Sequence, residues 1–387
     1  MNLTERRVVY QKIEEYRNRP LIVYATSTRQ GLNAMMATDV VREFIDQIDA
    51  IRSGDSVDVL INSTGGDALT AWKLMSLLRE RFKTVSVLVP YMAFSAATIF
   101  ALGADEIVMH PHASLGPIDP QIRMVQPDGK VRQFAYEDVG AFLEFLAEDV
   151  HLTEQLHISD IVERLFHVVD PVNVGAAKRA SKLSTDIGER LLSMHLNGDK
   201  ARSRQIAENL NKSFFAHGDA VSKRRARELQ LAIAPDDKEL ERLIWTAYCA
   251  LETAMILREP FNPLHDFLKD PTAQSSLVPL APLMMPANTD PAILQQVWQA
   301  AASQAIARAG LAAHKVPFSL FIAVCESVRC ASEVRTEGDM WASVLPAGDI
   351  KVNVIERVNG WKIVDRATTG DPISSTTNPK KSVKRVK

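Results

Sequence analysis

The sequence predicts an α/β protein with a largely parallel sheet covered by helices, because short apolar runs alternate with segments of helical periodicity. The runs 57–61, 85–89 and 106–109 have the length of strands, and helix-length segments separate them. Strands that are apolar along most of their length are typical of a parallel sheet buried on both faces. Turns rich in small residues follow the first two runs, at the sheet edge where α/β proteins bind ligands.

The composition is that of an ordinary globular protein: 387 residues, of which 46% are apolar and 24% charged. This length suits one large domain or two smaller ones. A formal net charge of −2 gives no reason to expect nucleic acid or an anionic membrane as the main partner. Three cysteines without metal or redox spacing predict free thiols, a reducing cytoplasm and no metal site. They are Cys249, Cys325 and Cys330.

Neither a signal peptide nor an integral membrane segment is predicted. The first residues of the chain carry charges and lack a continuous apolar core. The stretch 85–109 has the length of a membrane span, but Pro90, Asp105 and Glu106 interrupt it. We interpret this stretch as a strand, turn, helix and strand of the buried α/β core.

The other elements are predicted from periodicity and turn residues. A charged helix over 1–17 is interpreted as a docking or oligomerisation arm, and a strand at 20–26 follows it. Asn359-Gly360 predicts a hairpin between strands at 350–355 and 361–364. The remaining predicted strand is 319–324, and the helices are 38–51, 68–82, 96–102, 136–150, 153–166, 171–196, 201–210, 222–229, 239–257 and 292–310.

These elements divide the chain into four parts. They are an N-terminal helical arm at 1–17, a main α/β domain at 18–258, a small α+β appendage at 259–370 and a tail at 371–387. Seven prolines between 259 and 291 indicate an irregular connection at the start of the appendage. The tail is rich in serine, threonine and lysine with few apolar residues, which predicts disorder.

Two stretches carry the chemistry. The first, 61–67 (INSTGGD), joins a strand to a helix, and its Gly-Gly pair lets backbone N–H groups point outward because no Cβ blocks them. The second, 91–98 (YMAFSAAT), places Ser95 in front of a helix of small residues. A serine at a strand–helix junction beside a Gly-Gly turn is the arrangement expected of a nucleophile facing an oxyanion hole. A plain N-cap role for Ser95 is the alternative.

These stretches resemble the superfamily of Clp proteases, signal peptide peptidases and crotonases, and most closely the serine dehydrogenase proteinase branch. Further matching segments are 24–36, 115–122 and 214–231, so the resemblance covers residues 18–235. It implies a Clp/crotonase-like fold and a serine peptidase that acts on peptides or proteins. It also implies a cytoplasmic homo-oligomer. No cofactor is expected, since the chain has neither a dinucleotide-binding glycine fingerprint nor a lysine in a pyridoxal-phosphate context.

The resemblance assigns roles to residues of both stretches. Ser95 is expected to form the acyl-enzyme, and the Gly65-Gly66 turn and Ala96 to supply the backbone donors of the oxyanion hole. The chain departs from its relatives at two places. Thr64 replaces a proline, and Ala96-Ala97 replaces a pair containing glycine. Both changes keep the backbone N–H groups.

The general base is harder to predict. Clp proteases use a histidine after the nucleophile helix, but the corresponding stretch 114–120 contains none. Signal peptide peptidases use a lysine instead, and no lysine of this chain aligns with it. His217 is the leading candidate, because the resemblance places it where Clp proteases carry the triad aspartate, in a His-Asp turn typical of the serine dehydrogenase proteinase branch. An imidazole also suits general-base catalysis near neutral pH. Asp219 or Asp119 is expected to orient it. The alternatives are Lys178, Lys182, His110 and His112.

Three functions therefore remain open. A serine peptidase would cleave peptide bonds in an extended chain. A crotonase-like acyl-CoA enzyme would use the same N–H donors for a thioester enolate, but it would need an acidic base and no serine nucleophile. A catalytically silent scaffold or binding protein would account for the missing aligned base.

Overall fold

The computed structural model describes residues 1–125, 131–167, 169–196, 198–212, 220–280, 291–345 and 348–365. These residues form a mixed α/β structure in which helices cover both faces of an eight-stranded sheet, as the sequence predicts. Within the described ranges, no helix combines the length and apolar character needed to cross a membrane.

The helices are α1 (Leu3–Arg17), α2 (Val41–Ala50), α3 (Ala68–Arg81), α4 (Ala96–Leu102), α5 (Tyr136–Glu144), α6 (Gln155–Phe166), α7 (Pro171–Ser193), α8 (Lys200–Lys212), α9 (Lys223–Glu228), α10 (Lys238–Met255), α11 (Pro263–Leu268) and α12 (Pro291–Ala312). Two 3-10 turns, Thr38–Val40 and Gln274–Ser276, and a π-helical turn, Phe145–Asp149, complete the helical set of the described residues. The strands are β1 (Leu21–Thr26), β2 (Thr28–Arg29), β3 (Leu32–Asn33), β4 (Ser56–Asn62), β5 (Thr84–Val89), β6 (Met92–Ala93), β7 (Glu106–Met109), β8 (Ser114–Leu115), β9 (Ile122–Val125), β10 (Val131–Phe134), β11 (Val221–Ser222), β12 (Val278–Pro279), β13 (Val316–Glu326), β14 (Ala331–Val344) and β15 (Ile350–Asp365).

The centre of the large sheet consists of the parallel strands β1, β4, β5 and β7. Alternate residues of these strands enter two different cores. Val59 and Val87 pack with α2, α3 and α4 on one face, whereas Leu60 and Leu88 pack with α1 and α10 on the other. Each such buried side chain stabilises the fold by about 1.5–3 kcal/mol. The ends of β4 and β5, where both motif stretches begin, are therefore anchored on both faces.

The C-terminal strands continue this sheet, because β13 pairs antiparallel with β1 and β14 pairs with β13. The prediction of a hairpin at Asn359-Gly360 was wrong. These two residues pair with Thr336 and Arg335 of β14, and β15 runs through them without a turn. The strand β14 was not predicted from the sequence, because its many polar residues obscure the apolar pattern by which strands are recognised. A long β14 provides partners for all of β15, which removes the need for a reversal at the glycine.

The N-terminal helix forms as predicted, and one of its faces packs within the chain. Its interpretation as a docking or oligomerisation arm stays a prediction. Val9, Tyr10 and Ile13 are buried in the core shared with α10. Arg6 donates from Nε and Nη2 to the carboxylate of Glu326 at 2.7 and 2.6 Å. Because Glu326 ends β13, this buried ion pair joins the N-terminal helix to a strand residue 320 positions later in the chain, a contact that local sequence patterns do not reveal.

Candidate active site

Ser95 has a strained backbone at the junction between β6 and α4. Its φ of 50° and ψ of −117° lie outside the left-handed helical region that asparagine and aspartate sometimes adopt. Such a conformation costs on the order of 1–3 kcal/mol in a residue with a side chain. Ser95 occupies the N-cap position of α4, yet its side chain makes no capping hydrogen bond. The plain N-cap interpretation therefore does not explain the serine.

Backbone hydrogen bonds fix the segment on both sides of Ser95. Phe94 N–H donates to the Ser63 carbonyl at 3.0 Å, which ties the serine junction to the end of β4. Thr98 Oγ1 donates to the Ala93 carbonyl at 2.6 Å and accepts from Gly116 N–H at 3.0 Å. The strain at Ser95 is thus maintained by contacts from β4, β6 and the segment after β8.

The Gly65-Gly66 turn lies directly against the serine. Gly65 has a φ of 99°, and a Cβ on it would lie 2.8 Å from Ser95 Cβ and 3.0 Å from Ala96 N. Gly66 has a φ of 149°, and its Cβ would lie 2.2 Å from the Met36 carbonyl oxygen. Neither position can accept a side chain without moving backbone, which explains why the turn contains two glycines.

The donors of the turn differ in what they bind. Gly65 N–H donates to Ser63 Oγ at 3.1 Å, so it is engaged within the protein. Gly66 N–H and Ala96 N–H form no hydrogen bond with any residue in the described ranges. Ala96 also begins α4, where the helix dipole adds partial positive charge. The two N–H groups that remain available to a bound group are therefore those of Gly66 and Ala96.

The segment that contains Thr26 and Met36 supports this turn, although no role at the site was predicted for it from the sequence. Met36 N–H donates to the Gly65 carbonyl at 2.7 Å, and the Met36 carbonyl accepts from Asp67 N–H at 2.9 Å. Thr26 Oγ1 donates to Ser63 Oγ at 2.8 Å. Met36 and Thr26 both belong to the segment 24–36 that resembles the serine dehydrogenase proteinases, and that resemblance was the signal that could have identified them.

The candidate bases and the residues proposed to orient them differ in whether the structure describes them and in how exposed they are. His217 and Asp219 lie outside the described residues. Lys178 and Lys182 are on α7 and are exposed. A lysine acts as a base near neutral pH only when burial removes it from water, so their exposure is unfavourable for this role. Asp119 is buried and accepts from Gln121 Nε2 at 2.7 Å.

His110 and His112 belong to an aromatic cluster at the ends of β5 and β7. The His110 ring stacks on Trp245 at 4.7 Å between centroids, and its Nδ1 accepts from His112 N–H at 3.1 Å. Burial, followed by the charge of His112, lowers the pKa of His110. Neither histidine forms a hydrogen bond with Ser95, whose hydroxyl has no partner among the described residues. These contacts account for both rings without a catalytic role.

No group of three or more His, Cys, Asp and Glu side chains in the described ranges is arranged to hold a metal ion. The chemistry available at the turn is that of a hydroxyl group and two backbone donors. This set suits attack on a carbonyl carbon.

Residues 2–139 match the family of ClpP-like SDH-type serine proteinases. The matched region contains both motif stretches, and over it the resemblance inferred from the sequence is confirmed.

Two uncharacterized proteins of Methanocaldococcus jannaschii are similar in sequence. One is 39% identical over 66 residues, which are 17% of this chain and 23% of the relative. The other is 29% identical over 153 residues, which are 37% of this chain and 50% of the relative. The matches thus span about a quarter and a half of the lengths of these curated relatives.

Two solved structures have weak overall similarity. A mutant of the 1510-N membrane-bound stomatin-specific protease has a TM-score of 0.36 and 14% identity, covering 58% of this chain and 84% of its own. ClpP1 from Listeria monocytogenes has a TM-score of 0.30 and 14% identity, covering 59% of this chain and 98% of its own.

Proposed function

We propose that this protein is a serine peptidase that hydrolyses peptide bonds through an acyl-enzyme on Ser95. The match of residues 2–139 to a family of serine proteinases supports the reaction class. The observation that carries the assignment to Ser95 is its strained φ of 50° beside the uncommitted N–H groups of Gly66 and Ala96. Strain of this kind is retained where a side chain must be presented for function.

In the proposed mechanism, Ser95 Oγ attacks the carbonyl carbon of the scissile peptide bond while the general base removes its proton. The negative charge that develops on the carbonyl oxygen is stabilised by hydrogen bonds from Gly66 and Ala96. The base then returns the proton to the amine, which leaves as the C–N bond breaks. Water, activated by the same base, hydrolyses the ester and frees Ser95.

His217 remains our proposed base, with Asp219 or Asp119 as the group that orients it. The described residues on either side of the 213–219 gap support this choice. Before the gap, Ile118 N–H donates to the Leu210 carbonyl at 3.0 Å; after it, Val221 pairs with Leu115. Leu115 and Ile118 lie on either side of Gly116, which hydrogen-bonds to Thr98 on α4. The described chain on both sides of the gap therefore contacts the segment 115–118 beside α4.

The pH dependence of kcat/KM distinguishes the candidate bases. If His217 is the base, the rate falls as the pH drops through an apparent pKa in the histidine range, because a protonated imidazole cannot accept the serine proton. His217→Gln is expected to remove this acidic limb, whereas Lys182→Gln leaves it in place. A profile that rises only at high pH and is unchanged in His217→Gln would identify a lysine base instead.

The crotonase-like and silent alternatives are separated from the peptidase by one reagent. A fluorophosphonate probe reacts with an activated serine, and peptide mapping shows which serine carries it. We expect labelling at Ser95 and nowhere else. The silent scaffold gains some support because Ser95 Oγ has no hydrogen-bonded base within the described ranges. No labelling under conditions where a control serine peptidase reacts would favour it.

We also propose that the peptidase is a cytoplasmic homo-oligomer. Its cysteines Cys249, Cys325 and Cys330 are free thiols, which suits a reducing compartment. Leu156 on α6 is 71% exposed, and α6 buries none of its residues. Such an apolar helix face is expected to pack against a second copy of the chain.

Sedimentation velocity tests this proposal. The wild-type protein is expected to sediment as a species larger than its 42.9 kDa monomer at micromolar concentration. Leu156→Asp should shift it toward the monomer because a carboxylate cannot be buried in an apolar interface. Val8→Asp is the matched control, since Val8 is 51% exposed on α1. A monomeric wild-type protein would rule the oligomer out.

A further inference from the structure

A concave site lies at the opposite edge of the sheet from Ser95. It is a cleft of about 1320 Å³ between the C-terminal end of α1, α2 with the turn after it, the β13–β14 turn and the end of β15. The strands β1 and β4 begin here, whereas the candidate active site lies beyond their other ends. No step of the proposed peptidase mechanism uses this cleft.

The cleft has an excess of negative charge. Six carboxylates and four arginines line it. Three of the arginines are neutralised by nearby carboxylates: Arg329 by Glu14 at 2.6 Å, Arg42 by Asp46 at 2.8 Å and Arg19 by Asp58 at 3.6 Å. In contrast, Glu15, Glu43 and Asp49 form no ion pair with a described residue. Arg52 alone balances these three carboxylates, so the cleft attracts cations.

Glu43 is a buried carboxylate of the cleft that lacks a hydrogen-bond partner on one oxygen. The residue is only 8% exposed, and its Oε2 has no hydrogen-bond partner among the described residues. A neighbour on the same helix, Gln47, is 2% exposed and also has an unpartnered acceptor, Oε1. Burying a carboxylate without a partner is expensive. Of these two residues, Glu43 lines the cleft, so a cationic group bound there would offset the charge of its carboxylate.

We propose that the cleft binds the basic segment 380–387 of the same chain. This segment, KKSVKRVK, contains five lysine and arginine residues and no acidic residue. Its ammonium and guanidinium groups supply the positive charge that complements the Glu43 carboxylate and the other unpaired carboxylates of the cleft. The cleft also offers apolar contacts for the two valines of the segment, from Ile51 and Val328.

The position of Asp365 makes the contact feasible within one chain. Asp365 lines the cleft, so the chain leaves the described structure at the rim of the proposed site. The connecting residues 366–379 can span up to about 45 Å when extended. A tethered segment has an effective concentration in the millimolar range, so modest intrinsic affinity is enough for occupancy.

Fluorescence anisotropy with a labelled synthetic peptide of sequence KKSVKRVK tests the proposal. The receptor is the full chain with its own segment neutralised by replacing Lys380, Lys381, Lys384, Arg385 and Lys387 with glutamine. We expect this receptor to bind the peptide, and the affinity to fall as salt is raised, because the contact is ionic. The wild-type chain should bind at least about tenfold more weakly, since its own segment competes.

Glu43→Gln in the neutralised chain should weaken peptide binding by about tenfold or more, since the amide keeps the shape but loses the charge. Asp49→Asn, at an exposed lining carboxylate, should give a smaller decrease. Glu80→Gln is the matched control, because Glu80 is an exposed carboxylate on α3 outside the cleft. Thermal melting of each variant confirms that it is folded.

Equal peptide binding by the wild-type and neutralised chains would overturn the assignment of the segment. Unchanged binding in both Glu43→Gln and Asp49→Asn would overturn the assignment of the cleft. If the wild-type segment displaces the labelled peptide more strongly as the protein concentration rises, the segment of one copy binds the cleft of another. That result would contradict binding within one chain. None of these results depends on peptidase activity.

Discussion

Ser95→Ala is expected to lower peptide hydrolysis by about 10³-fold or more and to abolish fluorophosphonate labelling, while the protein stays folded. The change removes the attacking oxygen and little else, because the Ser95 hydroxyl makes no hydrogen bond with a described residue. Alanine keeps the strain at φ 50°, so the unfolding free energy should change little. Steady-state kinetics and thermal melting of the purified variant measure the two effects.

Ser95→Gly is the informative companion variant. Glycine adopts a positive φ without strain, so this variant should gain about 1 kcal/mol in unfolding free energy while remaining as inactive as Ser95→Ala. That combination would show that the fold gives up stability to present the serine. Wild-type hydrolysis in either variant would end the proposal that Ser95 is the nucleophile.

Gly66→Ala is expected to damage both stability and activity. The new Cβ would lie 2.2 Å from the Met36 carbonyl oxygen and 2.6 Å from the Met36 nitrogen, so backbone must move. We expect a loss of about 2–4 kcal/mol in unfolding free energy. The shift displaces the Gly66 N–H from the oxyanion position, which should lower kcat by about 10²–10³. Denaturant unfolding and kinetics of the folded fraction measure these effects separately.

Gly54→Ala is the matched control for this variant. Gly54 also has a positive φ, 95°, but a Cβ there would meet no atom within 4 Å. Only the backbone strain of a left-handed residue applies, so the expected loss is about 1 kcal/mol with unchanged kcat. A Gly66→Ala variant that behaved like Gly54→Ala would show that the Gly-Gly turn is not the oxyanion hole.

The sequence by itself determined the central part of the fold. Strands 57–61, 85–89 and 106–109 and the helices between them were predictable because burial on both faces leaves a continuous apolar run, and helix faces leave a regular period. The start of α4 at Ala96 followed from the same local patterns. These signals lie within a few residues of each other and need no knowledge of distant partners.

Tertiary structure alone decided the features that depend on residues far apart in the chain. Pairing with β14 turned Asn359-Gly360 from a predicted hairpin into the interior of β15, and Glu326 placed α1 in the core. At the candidate site, the bond from Gly65 N–H to Ser63 Oγ separates the engaged glycine from the available one. The strain at Ser95 likewise comes from contacts of β4, β6 and the segment after β8 converging on one residue. Composition and spacing do not record such convergence, because it arises only when strands distant in sequence lie side by side.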